Sequence, residues 1–422
     1  MPSLHEVSEA AWNGTLSTAT PEGHPFVRLN LLEEVAPGIA FYKDFSNQCI
    51  VKTADGLVLI DAGSYNPLFH RPAFDKIRTW SADPVKLAIY THGHVDHAYG
   101  LTPFLDEAKR KNWTPPQIAG HENILPRMKR YVDMNGYNSI INSRQFGAPV
   151  AFPKQYQAPN LTYSDRMTLR VGDRQFELTH AKGETDDHTW VWLPKERILY
   201  TGDLFIWAAP NAGNPQKVQR YVIEWAQALS AMAKRKPVLL LPGHGFPIEG
   251  EARVAQALND TASYLESLHT QTVAMMNQGA TVYDIIGQVK PPADLARRPY
   301  LLATYDEPEF ITRTIWRLYG GWYSGVPSEV KPAPRAEQGR ELAQLAGGAG
   351  KLVERAEALA AAGNFRMACH LVDWAVDAEP ANAEAHRSRA AIYAKRVNAE
   401  SSTMSKGIFG AAARESAGKV NR

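Results

Sequence analysis

The sequence has few cysteines, little net charge and no long apolar run. Its two cysteines, Cys49 and Cys369, lie far apart in 422 residues, which excludes a disulfide framework or a Cys-x-x-Cys metal site and favours a reducing compartment. A net charge of +2 argues against a nucleic-acid surface built on bulk positive charge. With no run of membrane-span length and no signal-peptide pattern at the amino terminus, we expect a cytoplasmic protein that binds no membrane.

Apolar residues, by contrast, make up 44% of the chain, which is enough for the cores of two or three domains. Residues 1–30 are polar and predict an irregular N-terminal arm. Alternating strand and helix patterns follow, and they indicate an α/β fold with a β-α-β unit. The predicted strands cover residues 39–42, 48–52, 57–60 and 85–90, and the predicted helices cover 67–80 and 100–111.

The stretch after the fourth of these strands carries the strongest chemical signal. His92, His94, Asp96 and His97 are four potential metal ligands within six residues, and polar side chains gain little from burial unless something binds them. Open α/β sheets place their sites at such strand ends. Nitrogen and oxygen donors without a thiolate suit zinc, with manganese, iron or cobalt as substitutes.

This His-x-His-x-Asp-His pattern after a strand resembles the metal signature of the metallo-β-lactamase superfamily. The resemblance implies an αββα sandwich and further ligands at later strand ends. By position, it also implies that Asp61 orients a ligand through a hydrogen bond.

Three later segments supply the remaining residues in the expected order. Glu184 stands where many superfamily members have histidine, with His180 and His188 as competing choices for that ligand. A Thr-Gly-Asp turn ending at Asp203 matches the bridging carboxylate, and His244 follows another buried strand. The resemblance thus predicts His92, His94 and Glu184 on one metal, Asp96, His97 and His244 on a second, and Asp203 between them. Asp96 and Asp203 are the predicted catalytic residues, with hydrolysis by a metal-bound hydroxide.

Two further features resemble the alkylsulfatase branch of this superfamily. One is the glutamate at position 184 together with a predicted long helix from about Glu249 to Asn277. The other is the segment Arg313–Pro327, which resembles that family's Trp-x-x-Tyr-x-Gly-Trp segment. The resemblance implies cleavage of a small-molecule sulfate ester. It divides the chain into the arm (1–30), a catalytic domain (31–330) and a helical dimerisation domain (331–422).

The last region gives a similar prediction from its residues alone. A proline-rich linker at 331–335 leads into helical segments at 352–362, 365–376 and 383–395, spaced much like a tetratricopeptide repeat. Barely one and a half repeats bury their faces poorly, so a partner is expected. The resemblance predicts a homodimer, and packing against the chain's own catalytic domain is the alternative.

Two departures from the alkylsulfatases weaken the prediction of a long-chain sulfate substrate. Those enzymes carry glutamate at the bridging position, where this chain has Asp203, and they continue into a sterol-carrier-like domain for which this chain has no room. The polar segment 120–147 is predicted to begin as a helix and lose its periodicity at Gly136. This segment and the third metal motif supply the predicted substrate contacts, which are His121, Tyr131, Tyr137, Asn142, Arg144 and His188.

Other functions are weighed against this one. A carboxylic ester, lactone or ether hydrolase on the same metal core is the main alternative. The short interval between Asp203 and His244 argues against a β-CASP nuclease, and His94 argues against a flavodiiron oxygen reductase. A non-enzymatic scaffold that uses the helical array is disfavoured because all seven ligand positions are intact.

Overall fold

The computed structural model describes residues 2–420, which form two compact units. The first unit contains the residues up to Gly136 together with Ala151–Trp322, and the second contains Tyr137–Val150 together with the residues from Tyr323 onward. Within residues 2–420, no helix combines the length and the apolar character that a membrane crossing requires. Both cysteines are buried with free thiols.

The first unit contains two β-sheets. The seven-stranded sheet runs in chain order, antiparallel from β1 to β4 and parallel from β4 to β7. Its strands are β1 (Leu31–Ala36), β2 (Ile39–Lys43), β3 (Gln48–Thr53), β4 (Gly56–Ile60), β5 (Val85–Ile89), β6 (Gln117–His121) and β7 (Leu161–Tyr163).

The second sheet has six strands in the order β13-β12-β11-β10-β9-β8, antiparallel except for the pair β11 and β12. Its strands are β8 (Arg166–Val171), β9 (Arg174–His180), β10 (Thr189–Leu193), β11 (Ile198–Gly202), β12 (Leu239–Pro242) and β13 (Ile248–Glu249).

Helices cover the outer faces of both sheets. The helices up to residue 320 are α1 (Leu4–Trp12), α2 (Pro67–Trp80), α3 (Thr102–Arg110), α4 (Ile124–Asp133), α5 (Asn135–Phe146), α6 (Val222–Ala233), α7 (Glu251–Asn277), α8 (Val282–Gln288) and α9 (Pro308–Gly320). Between the sheets, Phe41 and Val51 of the first share a buried core with Val191 of the second. Helices α2, α3 and α4 pack on one outer face, and α6, α7 and α9 pack on the other. The predicted αββα sandwich is confirmed.

The second unit has helices and connecting loops but no strand in the part of the chain that the structure describes. It contains most of α5 and the helices α10 (Arg335–Ala346), α11 (Ala349–Ala361), α12 (Phe365–Ala378), α13 (Ala383–Ala399) and α14 (Thr403–Val420). Small residues such as Ala356 and Ala368 pack against Val372 and Ile392, which lets these helices approach closely. The predicted helical region at the end of the chain is confirmed, with α10 and α14 added to the three predicted segments.

Two local predictions are wrong. The N-terminal arm is not irregular throughout, because α1 forms there. Ser3 caps that helix by accepting from the Glu6 amide, and Leu4, Val7 and Ala11 are buried. The chain also does not lose helical structure at Gly136, since α5 begins at Asn135. The buried face of α5 carries polar side chains such as Asn138 and Gln145, and this hides its periodicity from a search for apolar residues.

Candidate metal centre

The seven predicted ligands converge at the carboxyl-terminal ends of strands. The buried strand β5 ends before His92, β11 contains Gly202 just before Asp203, and β12 ends two residues before His244. Their donor atoms form two sets, each within 4.8 Å of one another. The first ligand group is His92, His94, Glu184 and Asp203, and the second ligand group is Asp96, His97 and His244.

In the first ligand group, two imidazoles and a carboxylate face one another. Nε2 of His92 lies 2.8 Å from Nδ1 of His94. Oε2 of Glu184 lies 3.8 Å from the former nitrogen and 3.6 Å from the latter. His92 and Glu184 are buried, and His94 is partly exposed.

Asp203 connects the two groups. Its Oδ2 atom lies 3.8 Å from Nε2 of His92 and 3.4 Å from Nε2 of His244, and its Oδ1 atom lies 3.3 Å from Nε2 of His97. In the second ligand group, Oδ2 of Asp96 lies 3.6 Å from Nε2 of His97 and 3.5 Å from Nε2 of His244. The carboxylate of Asp203 therefore lies between the two groups and faces histidines of both.

Asp61 supports both ligand groups through hydrogen bonds. This fully buried residue follows β4 with a left-handed backbone φ of 60°, which is uncommon outside glycine. Its carboxylate accepts hydrogen bonds from the Thr91 amide at 2.8 Å, the Thr91 hydroxyl at 2.9 Å and Nδ1 of His97 at 2.8 Å. Because the Thr91 hydroxyl donates to Asp61, it accepts from Nδ1 of His92 at 2.9 Å.

These hydrogen bonds fix the ring orientation of three histidines. Nδ1 of His244 donates to the Phe45 carbonyl at 2.6 Å, as the Nδ1 atoms of His92 and His97 donate to their own acceptors. Each of the three rings thus turns its Nε2 toward the ligand groups, and this is the nitrogen that must be free of a proton for metal to bind.

Glu184 accepts hydrogen bonds from two residues that no local sequence motif indicates. Its Oε1 atom accepts from Nη1 of Arg220 at 2.7 Å and from the side-chain amide of Asn211. Arg220 and Glu184 are both buried, so the guanidinium compensates the negative charge that glutamate adds in place of a histidine. The extra negative charge of a glutamate in place of a histidine is the one sequence feature that indicates a buried arginine nearby.

The electrostatic environments of the two groups differ. Burial, together with neighbouring positive groups, holds the pKa values of His92 and His94 well below the usual histidine value. Burial would also lower the pKa of His97, but the surrounding carboxylates of Asp203, Asp96 and Asp61 raise it well above that value. Burial raises the pKa of Glu184 to about 8, against the effect of Arg220.

The donor set fits a pair of metal ions. Oε2 of Glu184 and Oδ1 of Asp203 are buried and have no hydrogen-bond donor among the described residues. Such oxygens are costly unless a cation binds them. With five further nitrogen and oxygen donors around them, the arrangement supports a dinuclear metal centre.

A buried ion pair supports the loop that carries His92 and His94. The amide of Gly93, between them, donates to Oδ2 of Asp187 at 2.9 Å, and Nε of Arg127 lies 3.0 Å from Oδ1 of the same carboxylate. A Cβ atom at position 93 would lie 2.8 Å from Cδ of Arg127, so glycine is required for this close approach.

Three histidines considered in the sequence lie outside the ligand groups. His121 and His180 stack with ring centroids 3.7 Å apart, and Nε2 of His121 donates to the Ser164 carbonyl. Nε2 of His188 accepts from the Asp203 amide at 3.1 Å, and its ring stacks on His92. Glu184, rather than His180 or His188, is therefore the residue that meets His92 and His94. Both His121 and His188 are buried, and their role in substrate binding stays a prediction.

The other predicted substrate contacts divide between the two units. Tyr131 is half-buried in the first unit, with its ring 6.5 Å from that of His94. Tyr137, Asn142 and Arg144 lie on α5 in the second unit, where Tyr137 is exposed and Asn142 is buried. Their role in substrate binding stays a prediction.

Family models match most of the chain. Residues 42–244 match the metallo-beta-lactamase superfamily, and residues 281–419 match alkyl sulfatase dimerisation.

Curated relatives and a solved structure agree with these matches. A linear primary-alkylsulfatase of Pseudomonas sp. is 26% identical over 350 residues, covering 78% of this chain and 66% of that protein. An (R)-specific secondary-alkylsulfatase of Pseudomonas sp. is 27% identical over 382 residues, covering 82% and 56%. The chain thus spans between about half and two thirds of these relatives.

The structure of a stereoselective inverting sec-alkylsulfatase from Pseudomonas sp. superposes with a TM-score of 0.84 at 23% identity, over 92% of this chain and 66% of that one, which establishes a shared fold. This chain therefore combines a metallo-beta-lactamase superfamily domain with an alkyl sulfatase dimerisation domain.

Proposed function

We propose that this protein is a binuclear metal-dependent hydrolase that cleaves a small-molecule sulfate ester. The observation that carries the proposal is the convergence of seven ligand-type side chains, with Asp203 between the two groups and glutamate at position 184. The similarity of the chain to alkylsulfatases over both of its domains supports a sulfate ester as the substrate.

In this proposal His92, His94 and Glu184 hold one cation, Asp96, His97 and His244 hold the other, and Asp203 contacts both. We propose zinc as the metal, because the donors are imidazole and carboxylate with no thiolate, and manganese, iron or cobalt could substitute. Two such cations would supply an activated water at neutral pH and bind an anionic oxygen of the substrate.

The chain also offers a cation of its own for the sulfate group. Lys217 is half-buried, and the carboxylates of Glu184 and Asp96 are near enough to raise its pKa. Burial and Arg220 have the larger, opposite effect and lower that pKa to about 8. At neutral pH its ammonium group remains positively charged, so it can neutralise an incoming monoester that would otherwise meet Glu184 and Asp96.

The six predicted substrate contacts remain part of the proposal, but the support for them is unequal. Tyr131 keeps support from its position beside His94. We also propose that the catalytic domain covers residues 31–330, that residues 331–422 mediate a homodimer, as the family match of that region suggests, and that the protein is cytoplasmic.

The proposal is tested with metal-loaded protein and a panel of short alkyl and aryl sulfates, carboxylic esters and lactones. The expected result is release of inorganic sulfate from the sulfate esters, abolished by a chelator and restored by added metal. Repeating the reaction in ¹⁸O-labelled water separates attack at carbon, which labels the alcohol, from attack at sulfur, which labels the sulfate. Turnover of carboxylic esters or lactones with no sulfate release would select the alternative hydrolase.

A further inference from the structure

We propose that the N-terminal arm is part of the substrate site, where Phe26 forms an apolar wall that selects esters by the size of their organic group. This inference rests on the proposed function, since it concerns the organic group of the same ester.

Phe26 lies directly against a residue of the second ligand group. Its ring meets that of His244 edge-on, with centroids 4.4 Å apart, and meets Tyr305 in the same way at 4.5 Å. It stacks on Phe45 at 5.3 Å, and Phe45 contacts Phe69 at 5.7 Å. The ligand group is thus bordered by aromatic rings contributed by the arm, by the loop after β2 and by α2.

Three of these rings keep part of their surface exposed. Phe26, Phe45 and Phe69, which we call the arm wall, are each half-buried, whereas Tyr305 is buried behind them. The arm wall therefore continues from the metal centre toward solvent.

The arm is fixed on both sides of Phe26. The buried ammonium of Lys43 donates to the carbonyls of Pro25 at 3.1 Å and Val27 at 2.8 Å. The Gly245 amide, next to His244 in the chain, donates to the same Pro25 carbonyl at 3.0 Å. A buried lysine is costly, and here two of its three hydrogen bonds go to the residues that flank Phe26, while the third goes to the Asp44 carbonyl. Lys43 is accordingly a positioning residue for Phe26.

The outer part of the arm wall is fixed by an arginine. Arg28 pairs with Asp44 at 3.2 Å and donates to the Leu68 carbonyl at 2.9 Å, and its guanidinium lies 4.2 Å from the ring centroid of Phe69. The arm and α2 are thereby held together at the residue that precedes Phe69.

The chemistry of the site assigns an apolar group to this wall. The charged end of a monoester belongs at the cations, so its organic group must extend away from them. Rings without polar atoms favour an alkyl or aryl group there, and each additional methylene that contacts the wall strengthens binding.

The first test compares methyl sulfate with hexyl sulfate as substrates of the metal-loaded protein. Phe26→Ala should lower the ratio of kcat/KM for hexyl sulfate to that for methyl sulfate about tenfold, because about 50 Å² of apolar contact is lost. Phe69→Ala should have a smaller effect in the same direction. Phe365→Ala, which truncates a half-buried ring in the second unit, should leave the ratio unchanged.

The second test does not depend on turnover. Calorimetry with methylphosphonate and hexylphosphonate should show tighter binding of the hexyl compound to the wild type, and Phe26→Ala should remove most of this preference with metal content unchanged. Lys43→Met should reduce the preference in the same way, whereas a purely structural role would weaken both ligands equally.

The outcomes separate the two proposals. A wild type that releases no sulfate from any ester contradicts the proposed function, while the phosphonate series still tests the wall. The wall is contradicted if the wild type binds hexylphosphonate no more tightly than methylphosphonate. It is equally contradicted if Phe26→Ala lowers both affinities alike or leaves both unchanged.

Discussion

The two ligand groups meet at Asp203 but balance their charges in different ways. In the second, His97 lies among carboxylates that raise its pKa, so protonated His97 and its neighbours form ion pairs without any metal. In the first, the facing nitrogens of His92 and His94 belong to rings whose pKa values are lowered. A proton can thus occupy His97 of the second group at moderate pH, whereas the two histidines of the first group stay neutral there.

The difference also shows in the supporting residues. The first group relies on Arg220, which pairs with Glu184 and offsets its charge. The second group relies on an anion, Asp61, which accepts from His97. The residue that supports each group therefore carries the charge opposite to that of the ligand it contacts. Each group can accordingly be disturbed separately, by a substitution of its own supporting residue.

The largest effect is expected from Asp203→Asn, because this substitution disturbs both ligand groups at once. This residue contacts both groups, so losing its charge should release at least one metal and lower kcat/KM on the order of 10³-fold. Metal analysis and steady-state kinetics check the result, with Asp75→Asn at an exposed position of α2 as the control. Two metals per chain and activity within tenfold of the wild type would rule out a shared carboxylate.

Asp61→Asn should weaken the second group more than the first. The amide would present N–H donors to His97 and Thr91, which already donate at this position, and losses of about 10- to 100-fold in metal affinity are typical of such changes. Competition with a chelator measures the two dissociation constants. The expected outcome is weaker binding of one ion, and equal affinities for both ions in variant and wild type would contradict it.

Arg220→Met should act on the first group, with a loss near the lower end of that range, about tenfold. The methionine keeps much of the buried volume but leaves the charge of Glu184 uncompensated. Arg235→Met breaks the partly exposed pair with Glu177 and serves as the matched control. The chelator assay should show weaker metal binding only for position 220, and equal behaviour of the two variants would argue against charge compensation.

The smallest expected effect concerns the stability of metal-free protein. Because the folded-state pKa of Glu184 is raised to about 8, stability from its protonated form is lost as pH rises toward 8. Glu184→Gln does not titrate, so the Tm of this variant minus that of the wild type should increase from pH 6.5 to pH 8. Each kcal/mol of stability that the wild type loses over this range should raise the difference by roughly 2–4 °C. A Tm difference that stays constant over this range in calorimetry would exclude the raised pKa.

The sequence indicated much of the fold and the ligand set because their signals are local. The buried strand before His92 and the four potential ligands after it lie within a single short stretch, and the predicted helix at 67–80 coincides with α2. Glu184 was harder to identify as a ligand, because His180 and His188 each lie four positions from it in the chain. Only the tertiary structure shows which of the three meets His94.

The supporting residues could not be found in this way. Arg220 and Asn211 follow no recognisable motif and reach Glu184 only through the packing of the connection before α6. The same holds for Phe26, whose contact with His244 joins two residues that lie far apart in the chain. Long-range contacts of this kind leave no periodic or spacing pattern in the sequence.

The central claim is tested most directly by counting the metal ions bound per chain and relating that number to sulfate release. Metal-free protein titrated with zinc should bind two ions per chain, and its sulfate release should rise as the sites fill. A protein that binds no metal, or that releases sulfate at full rate without metal, would contradict the account.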